Sequence, residues 1–213
     1  MNKETTERYY ALQHQDKFID EFFNQKTNGF YIDIGSHDGS YISNTLFFEQ
    51  FRSWSGICIE PGPKEFEHLK NFRKSININA CISNYDGVGE YTYVDGPSQA
   101  LSGLTKSYDP RHMDRLEREL VERGGEKILI ESLVFKLQTI LDMHKTYDID
   151  FCSIDTEGSE LEVVQSIDFN KTNIKVFIIE NNFQETKVQD FLEPKGYSLH
   201  SKLQWDDVFI KND

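Results

Sequence analysis

The sequence predicts an α/β fold: a mostly parallel seven-stranded sheet with helices on both faces and an antiparallel edge. Two observations carry this prediction. Apolar runs of strand length alternate with amphipathic runs of helical length along most of the 213 residues, and such alternation is typical of a parallel sheet covered on both sides. The last two strand-like runs lie close together, and their short connection indicates an antiparallel pair.

The predicted elements follow one another in a regular order. The first is an N-terminal helix over residues 9–25, where apolar side chains recur at helical spacing. Apolar runs bounded by turn-forming residues indicate strands, and these cover residues 29–34, 55–59, 76–82, 87–94, 128–137, 151–154, 176–179, 196–200 and 207–210. The remaining predicted helices cover residues 40–51, 64–72, 137–144, 159–167 and 185–192.

The length of the chain fits one domain with a full hydrophobic core, and no linker or repeat divides it. We therefore expect a single domain over residues 1–213. The stretch 97–127 is polar and charged, and it is too long for an ordinary connection between two strands. It is predicted to be an insertion or lid with one short helix.

Composition narrows the possible partners and compartments. The net charge of −13 argues against nucleic acid or an anionic membrane as a partner, because both favour a basic surface. The three cysteines lie in apolar runs without a Cys-x-x-Cys pair, which indicates core residues rather than zinc ligands. No secretory leader and no membrane-length apolar run is present, so we expect a soluble, cytoplasmic protein without membrane insertion.

The most informative segment is the strand 30–34 with the turn that follows it, FYIDIGSHDG. Gly35 and Gly39 allow a tight bend and a close approach of the backbone to a ligand. A strand, a glycine turn and a helix form a nucleotide-type cofactor site at the carboxyl edge of a sheet. The spacing is G-x-x-x-G rather than G-x-G-x-x-G. This difference favours S-adenosylmethionine over NAD.

Polar residues follow four of the predicted strands, and parallel strands bring such residues into one crevice. These residues are Asp33 and His37, Glu60, Asp155 and Glu157, and Glu180 with Asn181. Glu60 lies at the spacing at which an acid binds the ribose hydroxyls of a nucleotide. An NAD enzyme would carry the same acid, and a turn acid before Pro61 is the structural alternative.

Two further predictions concern chemistry at this crevice. Oxygen ligands from Asp155, Glu180 and Asn181 suit Mg²⁺ or Mn²⁺ held together with substrate hydroxyls. Alternatively, Asp155 caps the next helix and Glu180 only faces the pocket. Asp155 is the first candidate for the catalytic base, with Glu180 beside it. His37 is a second candidate near neutral pH, unless it only satisfies hydrogen bonds of its turn.

These segments resemble the FkbM-type S-adenosylmethionine-dependent methyltransferases. The resemblance rests on GFYIDIGSHDGS, GICIEPGP and DTEGSELEV, with shorter matches at residues 15–19, 43–45 and 166–169. It implies a Rossmann-like class I methyltransferase fold and a cofactor held by Asp33, Gly35, Ser36 and Glu60, with Ser83 or its neighbours near the adenine. We expect His37, Pro61 and Asp155 to complete the cofactor site, because they lie in or beside these segments.

The resemblance also implies O-methylation of a hydroxyl on a small-molecule or glycan acceptor, commonly a sugar or a polyketide-like natural product. A terminal deoxyhexose such as rhamnose is one candidate acceptor. The resemblance further implies a module of the kind found beside glycosyltransferase domains. Two rival interpretations stay open from the residues. An NAD-dependent oxidoreductase would need a third glycine in the first turn and a proton donor of the Tyr-x-x-x-Lys kind. A noncatalytic nucleotide-binding module would leave the acids at four strand ends unexplained.

Overall fold

The structure is a computed structural model that describes residues 8–212. Its strands are β1 Phe30–Ile34, β2 Ser55–Ile59, β3 Ile76–Ile78, β4 Cys81–Ile82, β5 Gly87–Asp95, β6 Gly103–Leu104, β7 Glu126–Phe135, β8 Asp148–Ile154, β9 Asn173–Glu180, β10 Tyr197–Leu203 and β11 Asp206–Lys211. Its α-helices are α1 Gln15–Phe22, α2 Leu46–Phe51, α3 Pro63–Phe72, α4 Pro110–Arg123, α5 Leu137–His144, α6 Glu160–Gln165 and α7 Lys187–Leu192. Among these residues, no helix combines the length and apolar character needed to span a membrane.

The main sheet has seven strands in the order β10-β11-β9-β8-β1-β2-β3. Within the run β9-β8-β1-β2-β3 every neighbouring pair of strands is parallel. Strand β11 is antiparallel to both of its neighbours, β9 and β10. In the centre, Ile34 of β1 pairs with Ile59 of β2 and Ile154 of β8. The predicted fold class is therefore confirmed, and the carboxyl ends of β1, β2, β8 and β9 lie along one edge.

Apolar side chains cover both faces of this sheet, as expected for strands whose side chains alternate in direction. On β1, Ile32 and Ile34 belong to one buried cluster, whereas Tyr31 belongs to the cluster on the opposite face. Each of these three side chains is at most 2% exposed. The central strands are therefore fixed by packing from both sides, which holds their carboxyl ends rigidly in place.

A second, four-stranded sheet was not predicted. Its order is β4-β7-β5-β6, and β5 and β7 form one long antiparallel hairpin. The predicted strand over residues 76–82 is wrong, because it divides into β3 in the main sheet and β4 in the second. The division falls at Asn79, whose amide donates to the carbonyl oxygens of Glu60 and Pro61 and turns the chain away.

The insertion over residues 97–127 connects the two long strands of this hairpin. It contains a 14-residue helix, α4, which is longer than the short helix that we predicted. The Asp109 side chain caps this helix by accepting a hydrogen bond from the Arg111 amide, and Pro110 occupies its first turn. The buried face of α4 carries His112 and Leu116. These contacts attach α4 to the body of the protein.

The helix predicted over residues 9–25 occupies only Gln15–Phe22. Asp16 explains the late start, because its carboxylate accepts hydrogen bonds from the backbone amides of Tyr10 and Ala11 and bends the preceding chain. The helix ends where Asn24 and Gln25 adopt positive φ angles. Residues beyond both ends therefore form turns.

The helix predicted over residues 40–51 begins only at Leu46. Asp38 accepts hydrogen bonds from the Ser40 and Tyr41 amides, and Ile42 has a φ of 45°, which no α-helix tolerates. The glycine turn therefore leads into a second turn rather than into a helix. The expectation that a helix N-terminus directly follows Gly39 is wrong, and the turn itself must supply any backbone N–H groups.

Candidate cofactor and catalytic site

A cavity of about 640 Å³ opens at the carboxyl edge of the main sheet. Its size lies within the range of small-molecule and cofactor sites. Eight of the predicted site residues line it, namely Asp33, Gly35, Ser36, His37, Glu60, Pro61, Asp155 and Glu180. The other two, Ser83 and Asn181, are not among its lining residues. The structure thus brings together most of the residues predicted from the sequence.

Backbone hydrogen bonds and close packing hold the turn after β1 against the ends of β2 and β8. The Gly35 amide donates to the carbonyl oxygen of Ile59, and the Ser36 hydroxyl donates to the carbonyl oxygen of Asp33 at 2.6 Å. Gly35 has a φ of +82°, and a Cβ there would lie 1.7 Å from the carbonyl oxygen of Asp155. The turn therefore requires glycine at this position, and the Ser36 side chain is committed to holding the turn rather than a ligand.

A buried network below the turn was not predicted. The carboxylate of Asp33 accepts a hydrogen bond from the Thr45 hydroxyl, and the Arg73 guanidinium also donates to that hydroxyl. Arg73, 4% exposed, further donates to the carbonyl oxygen of Gly39 and to the Tyr31 hydroxyl. Burial raises the pKa of Asp33, although the charge of Arg73 opposes this shift. Arg73 therefore ties the end of α3 to the glycine turn.

Glu60 occupies the end of β2, where it was expected to bind ribose. One carboxylate oxygen accepts a hydrogen bond from the His37 amide at 2.9 Å, and the other accepts one from the Gly62 amide at 2.6 Å. Burial raises the pKa of Glu60 to about 7, with a contribution from the charge of Glu65. Each oxygen of a carboxylate has a second lone pair, so Glu60 can still accept hydrogen bonds from a ligand diol.

This pKa predicts a pH-dependent affinity for S-adenosylmethionine. If Glu60 binds the ribose as predicted, only its ionised form can accept hydrogen bonds from both hydroxyls, so affinity should increase as the pH rises through about 7. Below that pH, each unit should weaken binding by up to about tenfold. Titrations at pH 6, 7 and 8 measure the effect. The Glu60→Gln variant is the control, because its side chain does not titrate. Its affinity should be low and should not change with pH over this range.

The end of the cavity beyond Glu60 differs from the prediction in one respect. Ser83 is buried outside the cavity, with its amide donating to the carbonyl oxygen of Phe135. Its neighbours Ala80, Cys81 and Ile82 line the cavity instead.

Two polar side-chain atoms of the cavity wall are buried without a hydrogen-bond partner within residues 8–212. They are Oε2 of Glu65 and Nδ1 of His37. Unpartnered polar atoms of this kind fit a polar ligand.

The acidic end of the cavity consists of Asp155, Glu157 and Glu180. One carboxylate oxygen from each lies within 4.8 Å of the others. Asp155 is exposed, and it lies beside the carboxylates of Glu157 and Glu180. Desolvation, followed by repulsion from Glu157, raises the pKa of Asp155. Enclosure and the charge of Asp155 likewise raise the pKa of Glu180.

Asn181 does not join this cluster. Its amide nitrogen donates to Asp207 at 2.6 Å and to the carbonyl oxygen of Glu185, and its amide oxygen accepts from the Glu185 amide. The acids that the structure brings together are Asp155, Glu157 and Glu180, and Glu157 was not in the predicted oxygen set of Asp155, Glu180 and Asn181. Asn181 fixes the loop after β9 instead.

The loop after β8 is shaped by Glu160. Its carboxylate accepts hydrogen bonds from the backbone amides of Thr156 and Gly158 and from the Thr156 hydroxyl. Glu157 at the tip has a φ of 56°, a left-handed conformation that non-glycine residues seldom adopt. The loop therefore presents Glu157 toward Asp155 in a conformation held from behind by another acid.

His112 of the insertion contacts this acidic cluster. Its Nδ1 lies 3.2 Å from the carboxylate of Glu157, and its Nε2 lies 3.1 Å from the carbonyl oxygen of Leu101. Burial lowers the pKa of His112, but the hydrogen bond and charge of Glu157 outweigh it and raise the pKa overall. Because both ring nitrogens face acceptors, the protonated imidazole satisfies both contacts. The insertion is thus anchored at the candidate catalytic site.

We expect the His112→Ala variant to lose roughly 1.5–3 kcal/mol of unfolding free energy, because a hydrogen bond to a charged group disappears and Glu157 keeps only its weaker contact with the Asn182 amide. Urea denaturation followed by circular dichroism measures the loss. The exposed His144 of α5 offers a matched control, and its replacement by alanine should change stability by no more than about 0.5 kcal/mol. Equal effects of the two substitutions would contradict the anchoring role.

Comparison with known proteins gives a family for this chain. The family model described as the methyltransferase FkbM domain matches residues 33–205, which is most of the chain. The chain belongs to the FkbM methyltransferase family. Use of S-adenosylmethionine follows from this membership, and the family assignment favours a methyltransferase over the oxidoreductase and binding-module interpretations. No match was found among curated proteins.

Three solved structures that the chain resembles come from methyltransferases. The FkbM methyltransferase from Methylobacillus flagellatus is 15% identical, with a TM-score of 0.49 over 86% of this chain and 43% of that one. This chain thus spans less than half of that FkbM protein. A precorrin-6y C5,15-methyltransferase from Geobacter metallireducens is 9% identical, with a TM-score of 0.49 over 99% of this chain and 94% of that one. The N-terminal domain of human METTL16 is 13% identical, with a TM-score of 0.48 over 92% and 67%.

Proposed function

We propose that this FkbM-family chain is an S-adenosylmethionine-dependent O-methyltransferase that acts on a hydroxyl of a sugar or glycan, such as a terminal deoxyhexose like rhamnose. One observation carries the proposal. Three carboxylates, Asp155, Glu157 and Glu180, lie within 4.8 Å of one another at the cavity that the glycine turn also lines. Carboxylates accept hydrogen bonds but donate none when ionised, so this end of the cavity suits a ligand rich in hydroxyl groups.

The other end of the cavity fits the cofactor. The free lone pairs of Glu60 suit the ribose hydroxyls, and the unpartnered Oε2 of Glu65 offers a further acceptor nearby. Ala80 and Ile82 give an apolar surface on which a nucleobase can lie. Gly35 has no side chain, so a ligand can approach the backbone of the turn closely. When bound, S-adenosylmethionine supplies an activated methyl group on a sulfonium sulfur.

The chain itself must position the acceptor hydroxyl and remove its proton. Positioning of two reactants accounts for roughly 7–11 kcal/mol of a barrier. Asp155 is our proposed base, because it follows β8 directly and its raised pKa makes it a better proton acceptor than an ordinary aspartate. Glu180 and Glu157 hold neighbouring acceptor positions. His37 lines the cavity on the cofactor side and stabilises the turn through its backbone N–H, which donates a hydrogen bond to the carboxylate of Glu60.

A divalent cation is a second element of the proposal. The carboxylates of Asp155, Glu157 and Glu180 form an oxygen donor set of the kind that Mg²⁺ or Mn²⁺ prefers. Glu157 is also paired with His112, so Asp155 and Glu180 are the freer ligands, and with a cation bound Asp155 serves as a ligand instead of the base. When bound, the cation would lower the pKa of an acceptor hydroxyl. We further propose that residues 1–213 act as one domain, a module suited to work beside glycosyltransferase domains and without a nucleic-acid partner.

Methyl transfer tests the proposal directly. The protein is incubated with S-adenosylmethionine labelled in the methyl group and with neutral saccharides that end in a deoxyhexose, with and without Mg²⁺ or Mn²⁺. We expect label in the saccharide, released as an O-methyl sugar after hydrolysis. Transfer to nitrogen or carbon acceptors but to none of the saccharides would contradict the proposal. Equal rates after exhaustive chelation would remove the cation from it.

A further inference from the structure

Large apolar side chains remain exposed around the main cavity. Five of them line it, namely Leu12, Tyr41, Ile42, Phe183 and Trp205. They come from four separate segments: the chain before α1, the turn after β1, the loop after β9 and the turn between β10 and β11. Apolar residues gathered from separate segments at the opening of one cavity mark a binding surface.

Trp205 is the largest of these side chains and is 55% exposed. Its backbone lies close to the acidic cluster. The carbonyl oxygen of Trp205 accepts a hydrogen bond of 2.7 Å from the backbone N–H of Asn181, the residue that follows Glu180. Phe183 follows on the same loop, and the Arg111 guanidinium lies 3.8 Å from its ring centroid. Trp205 and Phe183 therefore belong to the two loops that meet next to Glu180, and the indole is half exposed.

The charges below this aromatic rim are mainly negative. Asp155, Glu157 and Glu180 line the cavity together, whereas the lining cations His112 and Arg115 are paired with Glu157 and Glu119. With no cation bound at these carboxylates, an acceptor that carries phosphate would meet repulsion here. Neutral sugar rings combine apolar C–H faces with hydroxyl donors, and they suit an aromatic rim above carboxylate acceptors.

The space available extends beyond one sugar ring. A second cavity of about 380 Å³ shares Glu157, Glu180 and Phe183 with the first. The loop after β9 therefore contributes side chains to two adjacent cavities, and the second lies on the far side of Phe183 and Glu180 from the first.

We propose that Trp205, Phe183 and Tyr41 form an acceptor subsite for a neutral oligosaccharide, rather than for a nucleotide-activated sugar or a sugar phosphate. This inference rests on the proposed function. The ring to be methylated stacks on Trp205 with its hydroxyls toward the acidic cluster, and the rest of the chain passes Phe183.

The two tryptophans of the sequence allow a direct test. Trp54 is 3% exposed, with its indole donating to the carbonyl oxygen of Lys26, so acrylamide should quench mainly Trp205. The probes are a neutral trisaccharide ending in a deoxyhexose and the matching nucleoside-diphosphate deoxyhexose, each with S-adenosylhomocysteine present. We expect the trisaccharide to protect Trp205 from quenching and the nucleotide sugar to give no protection.

Kinetics separates the subsite from the proposed function. Trp205→Ala should raise the KM for the trisaccharide roughly tenfold through loss of apolar contact, and Trp205→Tyr should restore most of it. The affinity for S-adenosylmethionine should not change. Phe72→Ala is the matched control, an exposed aromatic on α3 that is not among the cavity residues. Its KM should match that of the wild type.

Three results would overturn the inference. Methyl transfer to the trisaccharide with an unchanged KM in Trp205→Ala would remove the subsite and leave the proposed function intact. Preferred binding of the nucleotide sugar would refute the charge argument. Failure of every saccharide to protect Trp205, in a protein that binds the cofactor, would also refute the subsite. Failure to bind the cofactor at all would instead remove the proposed function itself.

Discussion

Replacement of Asp155 by asparagine should lower kcat by roughly 10²–10⁴-fold, the range attributed to a positioned general base. The amide has the shape of the carboxylate but cannot accept the proton of the acceptor hydroxyl. Affinity for S-adenosylmethionine should change by no more than a few-fold. Single-turnover methyl transfer measures the first effect, and calorimetric titration measures the second.

The same variant should be more stable than the wild type. The pKa of Asp155 is raised in the folded protein, so the folded state disfavours the ionised carboxyl at pH values above its unfolded pKa. A neutral amide removes this penalty, and because solvent screens much of it at the exposed Asp155, the expected rise in Tm is at most a few degrees, or about 2–4 °C for each kcal/mol gained. Asp148→Asn is the control, because Asp148 is exposed at the opposite end of β8. Near-wild-type turnover in Asp155→Asn would refute the proposed base.

Replacement of Gly35 by alanine should destabilise the protein by at least about 3 kcal/mol. The new Cβ would lie 1.7 Å from the carbonyl oxygen of Asp155, and a φ of +82° is itself unfavourable for alanine. Relief of this contact requires β1 and β8 to separate at the cofactor site. Urea denaturation measures the loss of stability, and titration should show a matching loss of cofactor affinity.

Gly196 provides a matched control for this effect. Its φ is +87°, close to that of Gly35, but a Cβ there would meet nothing within 4 Å. Gly196→Ala should therefore cost only the backbone term of about 1–2 kcal/mol. Equal losses in the two variants would show that the close approach between Gly35 and Asp155 does not contribute.

The sequence predicted the main sheet and most of the site because both depend on local patterns. Apolar runs fix the central strands, and residues directly after them, such as Asp33, Glu60 and Asp155, must then lie at the carboxyl edge. The second sheet escaped prediction because β5 and β7 pair across the insertion. No local pattern indicates that residues so far apart in the chain form one hairpin.

Other parts of the site depend on contacts that no local pattern encodes. Arg73 follows α3 as an ordinary charged residue, yet it crosses to the glycine turn. His112 reaches Glu157 only because α4 folds back onto the loop after β8. Glu157 rather than Asn181 completes the acidic cluster for a similar reason. The Asn181 amide is occupied by Glu185 and Asp207, and sequence order alone could not distinguish the two residues.

Calorimetric titration with S-adenosylmethionine and with S-adenosylhomocysteine tests the central claim most directly. It should be done with and without Mg²⁺ or Mn²⁺, on the wild type and on Glu60→Gln. We expect binding of both compounds in the micromolar range, weakened in the variant, and additional heat with the cation if Asp155, Glu157 and Glu180 bind it. Absence of binding under every condition, in a protein that is folded by circular dichroism, would contradict the proposed methyltransferase activity.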